Sequence, residues 1–296
     1  MGEVNPNRIP RQDILATVNS LIPISKGYIA DICHPPLSVF QISGTRPAQL
    51  YNNSGTAQTG RAHGGTITGV NDRTANLDTF SCTEILSRQT IDVRDSPMFG
   101  GVAGQELALG VSGIRETSDK IEAAVVTNVQ ANPVDNKADP FTGIRNAVED
   151  LSGFGDVILV GSYKAFDKLR QNAVIIDRMK NTGVSLVGLT PREIASAQLA
   201  AIFGALEVHE AKGVAATQWD QTIITALVKV DAAYDPMSVP QVGRRYVYTW
   251  TADGVNQTMV IEQGYDITVR NDLIDFVTMT DDNTINPAFQ KVLSIA

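Results

Sequence analysis

The chain has 296 residues, enough for two domains or one elaborated domain. Hydrophobic residues make up 43% and charged residues 19%, an ordinary globular composition that excludes wholesale disorder. With 24 basic and 32 acidic side chains the net charge is −8, which argues against a chain whose main work is gripping nucleic-acid phosphates.

The longest apolar run is Leu199–Leu206. A bilayer crossing needs about 20 residues, so no membrane span is expected. Pro6, Arg8, Pro10, Arg11 and Asp13 stand where a signal peptide would carry an apolar run, so export is not expected either. Cys33 and Cys82 are too few for a disulfide framework and suit a reducing cytoplasm.

Residues 1–36 read as an arm with prolines at 6, 10, 23, 35 and 36 and one short helical stretch around Ile14, Leu15, Val18, Leu21 and Ile22. Residues 37–51 read as a strand, and Thr79–Arg94 as a second. Between them lies Asn52–Asn76, rich in Gly, Thr, Asn and Ala. A compact monomer rarely keeps so long a connection, so a two-stranded arm with a polar tip is expected, lying on something. Ser96-Pro97 then opens the strongest helix signal and Asn132-Pro133 closes it. Leu107, Val111, Ile114, Ser118, Ile121, Val125 and Asn128 share one face. Glycines at 100, 101 and 104 delay the regular start, giving a helix over Gln105–Ala131 about 40 Å long. Ser118 weakens the middle of that face, so one helix lying across a sheet is favoured over a coiled coil.

The stretch 140–230 alternates. Helices are expected at Pro140–Leu151, Tyr163–Gln171 and Pro191–Phe203, the last opened by the capping box Thr190-Pro-Arg-Glu193. Strands are expected at Asp156–Val160, Leu206–Ala211 and Thr222–Ala232. Farther on, Tyr246, Val247, Tyr248 and Trp250 lead through Ala252-Asp253-Gly254 into a returning strand, a hairpin signal. Tyr265–Val269 and Leu273–Met279 add two more strands.

The residues offer little to an enzyme. Gly153-Phe-Gly155 precedes a strand instead of following one, so it reads as a turn and not a dinucleotide fingerprint. Gly110-Val-Ser112-Gly113 misses the nucleophile-elbow pattern and lies inside the long helix. Cys33 and His34, adjacent in an extended chain, would point to opposite sides, and zinc needs three or four converging ligands. His63 lies in the loop tip, and His209 on the polar face of its strand. Tyr246, Tyr248 and Trp250 read as a packed sheet face, lacking interleaved bases beyond Arg244 and Arg245. No cofactor and no catalytic residue is assigned.

The order of parts resembles the major capsid protein of tailed bacteriophages, the Hong Kong 97 type of coat fold. The most specific piece is Phe141-Thr-Gly-Ile-Arg-Asn-Ala leading into Asp156-Val-Ile-Leu-Val-Gly-Ser-Tyr-Lys-Ala-Phe-Asp-Lys-Leu169, and the run Gln263-Gly-Tyr-Asp-Ile-Thr-Val-Arg-Asn-Asp-Leu-Ile resembles the family's closing strands. The resemblance implies an α+β protein: an N-terminal arm over 1–36 and an extended β-hairpin loop over 37–96. A peripheral domain would take 97–139 and 236–296, with the long helix as its spine, and an α/β axial domain 140–235. It implies a non-enzymatic subunit that assembles as pentamers and hexamers into an icosahedral shell around double-stranded DNA, in a virion built in the bacterial cytoplasm. The DNA would be enclosed without sequence-specific binding. A cleaved scaffolding segment has no room here, so a separate scaffold is expected, with portal and possible decoration proteins. An encapsulin shell is the alternative within the fold, and a soluble α/β enzyme built on 140–230 the alternative outside it.

Some members of the family join an extended-loop lysine to a neighbour's asparagine. Residues 27–119 contain no lysine. The loop's bases are Arg46, Arg61, Arg73, Arg88 and Arg94, the candidate inter-subunit contacts, and a guanidinium is no nucleophile near neutral pH. The expected shell is therefore non-covalent. Boiled particles should run as one band near 31.8 kDa on a denaturing gel. A ladder of larger rings surviving both boiling and thiol reductant would contradict this.

Overall fold

The computed structural model describes residues 9–10, 27–49, 76–91, 102–181, 196–229, 242–252, 255–266, 271–284 and 287–296. In chain order, β1 (Ile9–Pro10), the helical turn α1 (Ala30–Cys33), β2 (Pro36–Val39), β3 (Ser43–Gln49), β4 (Asn76–Ser81) and β5 (Thr83–Ile91) precede the long helix α2 (Val102–Val129). β6 (Val134–Asp135), α3 (Pro140–Ser152), β7 (Val157–Ser162), α4 (Tyr163–Gln171), α5 (Ala173–Asn181), α6 (Ser196–Phe203), β8 (Glu207–Ala211) and β9 (Ile223–Val228) follow. The chain closes with β10 (Gly243–Tyr248), β11 (Trp250–Ala252), β12 (Val255–Gln257), β13 (Val260–Asp266), β14 (Asn271–Thr284) and β15 (Gln290–Ser294).

Two sheets organise these elements. In the first, β14 is the axis: β13 and β10 pair antiparallel with successive stretches of it, 271–277 and 280–284, and β5 pairs with 272–280. β1 joins β13, and β2 lies parallel to β10. The second sheet has the order β6-β15-β9-β7-β8. Its central strands β7 and β9 are buried along their whole length, as their unbroken apolar sequences require. α3 enters its core behind a cap, the Asp139 carboxylate accepting from the Thr142 amide with Pro140 in the first turn. α4 does the same with Ser162, whose hydroxyl accepts from the Ala165 amide.

α2 is the wall shared by both sheets. Ile114, with Leu107 and Val111 beside it, packs on Ile91, Ile261, Ile274 and Phe276 of the first sheet. Val125, Val126 and Val129 enter the second core, with Ile144, Leu159 and Phe289. The helix lies across a sheet as the sequence implies, and it also changes partner half-way along. Thr117 and Ser118 mark the change, their hydroxyls donating back to the Gly113 and Ile114 carbonyls.

Several expectations are corrected. Regular helix already runs at Gly104. Residues 30–33 form a helical turn instead of extended chain, and both Cys33 and His34 are buried. At the C-terminus β15 pairs with β9, and β6 pairs with β15, so both short strands belong to the second sheet. Which sheet a short strand joins is decided by long-range pairing that local pattern does not carry. The capping box at 190–193, the tip 52–75 and the bulk of the arm lie outside the described residues.

Gly113 is where α2 meets the first sheet most closely. A Cβ there would lie 2.2 Å from Cδ2 and 2.3 Å from Cε2 of the fully buried Phe276 ring. Overpacking of this kind costs about 1–3 kcal/mol, against the roughly 1 kcal/mol of helix propensity that alanine gains over glycine. Gly113→Ala should therefore lower the thermal midpoint, and Phe276→Leu in that background should recover part of the loss. A G113A chain more stable than wild type would contradict the close contact.

Candidate assembly surfaces

β3 and β4 form the stem of the expected loop, pairing from Ser43 with Ser81 out to Gln49 with Asn76. β4 leads through Cys82 directly into β5, whose last pairing with β14 is Thr83 to Thr280, so the stem runs on beyond the end of that ladder. Its base is fixed by aromatic packing. Phe80 stacks on Tyr246 with centroids 4.8 Å apart and planes 5° from parallel, and Tyr248 meets Trp250 edge-on at 5.0 Å. Gly44 lies against that stack, and a Cβ there would come within 2.6 Å of the Phe80 ring. The Cys82 amide donates to the Ile42 carbonyl at 2.8 Å. Burial pushes the Cys82 thiol up to about 11 and Cys33 well above the usual thiol range, so neither is a ready thiolate.

The loop arginines divide three ways. Arg46 stands in β3 opposite Asp78. Arg88 meets a carboxylate of its own chain, with Nε and Nη2 donating to Asp275 at 2.7 and 3.0 Å across the β5–β14 ladder. Arg61, Arg73 and Arg94 lie outside the described residues. Among the described residues, none of these arginines comes together with another in a shared site.

The tyrosine–tryptophan cluster is the packed sheet face expected from its alternation. His209 bonds Glu207 at 2.8 Å on the outer side of β8, and Glu207 is held below the usual carboxylate range chiefly by Lys229. His63 lies outside the described residues. Among the described residues no three His, Cys, Asp or Glu side chains converge as a metal site.

Sequence reasoning missed three features. Phe40, in the turn between β2 and β3, is 63% exposed, and Val134, Val174, Leu206 and Val214 are also apolar and exposed. Single exposed apolar residues are ordinary, and Phe40 follows directly on Val39, whose carbonyl accepts from the Thr249 amide at 2.8 Å. A cleft of about 560 Å³ opens between α2 and the β5–β14 ladder, rimmed by Glu84, Leu86, Lys120, Ala124, Asn128 and Asp281. The third is a set of buried polar ties. Asp282 lies 2.8 Å from His34 Nδ1 and accepts from Asn128 of α2 at 2.6 Å. Arg170 donates to Glu210, which also accepts from Ser196 at 2.8 Å, joining α4, α6 and β8. Glu122 of α2, fully buried, accepts from the Ile29 and Ala30 amides at 3.1 and 2.9 Å and from Trp219 Nε1 at 2.6 Å. The readable signal for Glu122 was its spacing: it stands four residues from both Ser118 and Val126, an acid inside the helix's packed stripe.

Among the described residues these are packing surfaces and structural ties, and solved structures share the fold that carries them. No model of a known family and no curated protein sequence matches the chain. A phage-related protein from Bordetella bronchiseptica matches with a TM-score of 0.65 at 15% identity, covering 97% of each chain. The capsid of cyanophage P-SCSP1u matches at 0.55 and 12% identity over 90% of this chain and 87% of that one. The chain has a phage capsid-protein fold. The capsid-protein fold extends to a holo-encapsulin complex from Synechococcus elongatus, at TM-score 0.53 and 10% identity over 92% of this chain and 88% of that one.

Proposed function

We propose that the chain is a major capsid subunit of the Hong Kong 97 type, assembling as pentamers and hexamers into an icosahedral shell around double-stranded DNA. In this reading 1–36 is the arm, 37–96 the extended loop and α2 the spine of a peripheral domain. Residues 140–235, joined by β15 and β6, make the axial domain. The loop arginines Arg46, Arg61, Arg73 and Arg94 meet carboxylates of neighbouring copies, while Arg88 serves first within its own chain. A separate scaffold and a portal complete assembly in the host bacterial cytoplasm, and the product is the virion capsid, with decoration proteins as further partners.

The observation that carries this reading is the fold likeness to the cyanophage capsid over 90% of this chain, beside that to the phage-related protein over 97% of both chains. The stem supports it: a two-stranded extension that outruns its own sheet buries little surface in a lone chain and much against a copy. The acidic balance supports an inner wall that repels the packaged duplex. The encapsulin likeness favours a second reading, a shell that holds protein cargo.

Electron microscopy of the expressed full-length chain tests the proposal. Closed shells are expected, and nuclease-protected DNA in particles from productive assembly. Shells carrying protein cargo and no protected DNA would select the encapsulin reading. A stable monomer of 31.8 kDa, even with scaffold co-expressed, would overturn both.

A further inference from the structure

Glu122 is an unusual acid to find at the joint of two cores. Two of its three donors are consecutive backbone amides, Ile29 and Ala30, at the start of α1, and the third is Trp219 from the second unit. The side chain therefore holds the start of α1 against α2. Beside it lies a cavity of about 130 Å³, lined by Tyr28, Asp31, Ser118, Ile121, Glu122 and Arg245. Asp31, two-thirds exposed, accepts from Arg245 Nη2 at 2.6 Å. Arg245 Nε is buried with no hydrogen-bond partner in the protein. The cavity thus sets a polar space and an unpartnered donor directly beside the buried carboxyl.

We propose that Glu122 and this polar cavity form a proton-linked latch that holds residues 29–33 against α2. Closing the latch takes the carboxyl out of water, and opening returns it. The charged and titratable groups facing it are Tyr28, Asp31 and Cys33 from the segment it holds, and Arg245 from β10; Arg115 and Asp119 of α2 reach it only through Tyr28. Burial raises the Glu122 carboxyl above the usual glutamate range and Asp31 adds to this, while its bonds from Trp219, Ile29 and Ala30 offset part of the rise. The closed latch thus keeps its proton to a higher pH than the open one. Its stability is full below the ordinary glutamate range and declines as pH rises through the raised value. The latch is independent of the shell reading, since it rests on contacts within one chain.

Amide hydrogen exchange on the full-length protein, corrected for the intrinsic pH dependence of exchange, tests it between about pH 5 and about pH 8. Protection of the Ile29 and Ala30 amides should fall with rising pH, by up to about tenfold per unit for one linked proton, while Ile224 and Leu227 in β9 stay protected. Glu122→Gln should remove the slope. Asp31→Asn, which keeps an oxygen to accept from Arg245, should move the midpoint to lower pH and decides the matter if E122Q does not fold. PH-independent protection in the wild type, an unchanged slope in E122Q, or an unmoved midpoint in D31N would each overturn the proposal.

Discussion

One helix has to satisfy two cores. The first half of α2 packs on the β5–β14 sheet and its second half is buried in the second unit, so its C-terminal carbonyls end inside protein, where water cannot serve them. The second sheet supplies the partners. Thr225 of β9 donates to the Val129 carbonyl at 3.0 Å and Gln290 of β15 to the Asn128 carbonyl at 3.4 Å. Gln130 continues the tie, donating to the Ile223 carbonyl and accepting from the Asp220 amide. The C-terminal strand thus closes the second sheet and also caps the helix that carries the first.

Buried polar ties of this kind do more for geometry than for net stability. A charged or hydrogen-bonded group inside a core is costly unless every partner is in place, so it excludes arrangements in which the partners are apart. Glu122 fixes the start of α1, and Asp282 fixes His34 to Asn128. Arg170 and Glu210 hold two helices to the edge strand β8. Together these ties fix how α1, α2, α4, α6 and β8 register with one another.

Much of this frame was legible before the structure. The helices over 140–152 and 163–171 have both cap chemistry and period, and Asp253-Gly254 marks the β11–β12 hairpin. Other parts were not. The end of β14, Thr280-Asp-Asp-Asn-Thr284, is polar and has poor strand propensity, yet it pairs residue by residue with β10. Pairing across 37 positions of sequence decides it, and no local window contains that information. Gly113 reads locally as a weak point in the helix, while in the fold it is the place where Phe276 needs room. The stacking of Phe80 on Tyr246 and the burial of Glu122 depend equally on contacts far apart in sequence. Among the loop arginines, Arg88 pairs with Asp275 of its own chain, a partner 187 positions away that no local window reveals.

The shared helix wall makes a direct demand on cooperativity. Neither sheet keeps its core if α2 leaves, so the two units should open together. Amide protection followed through a guanidinium titration tests this, with Ile224–Leu227 of β9 reporting on one core and Ile274–Phe276 of β14 on the other. Loss of protection in both at one denaturant concentration is the result this account predicts. Exposure of β14 at a clearly lower concentration, with β9 still protected, would contradict it.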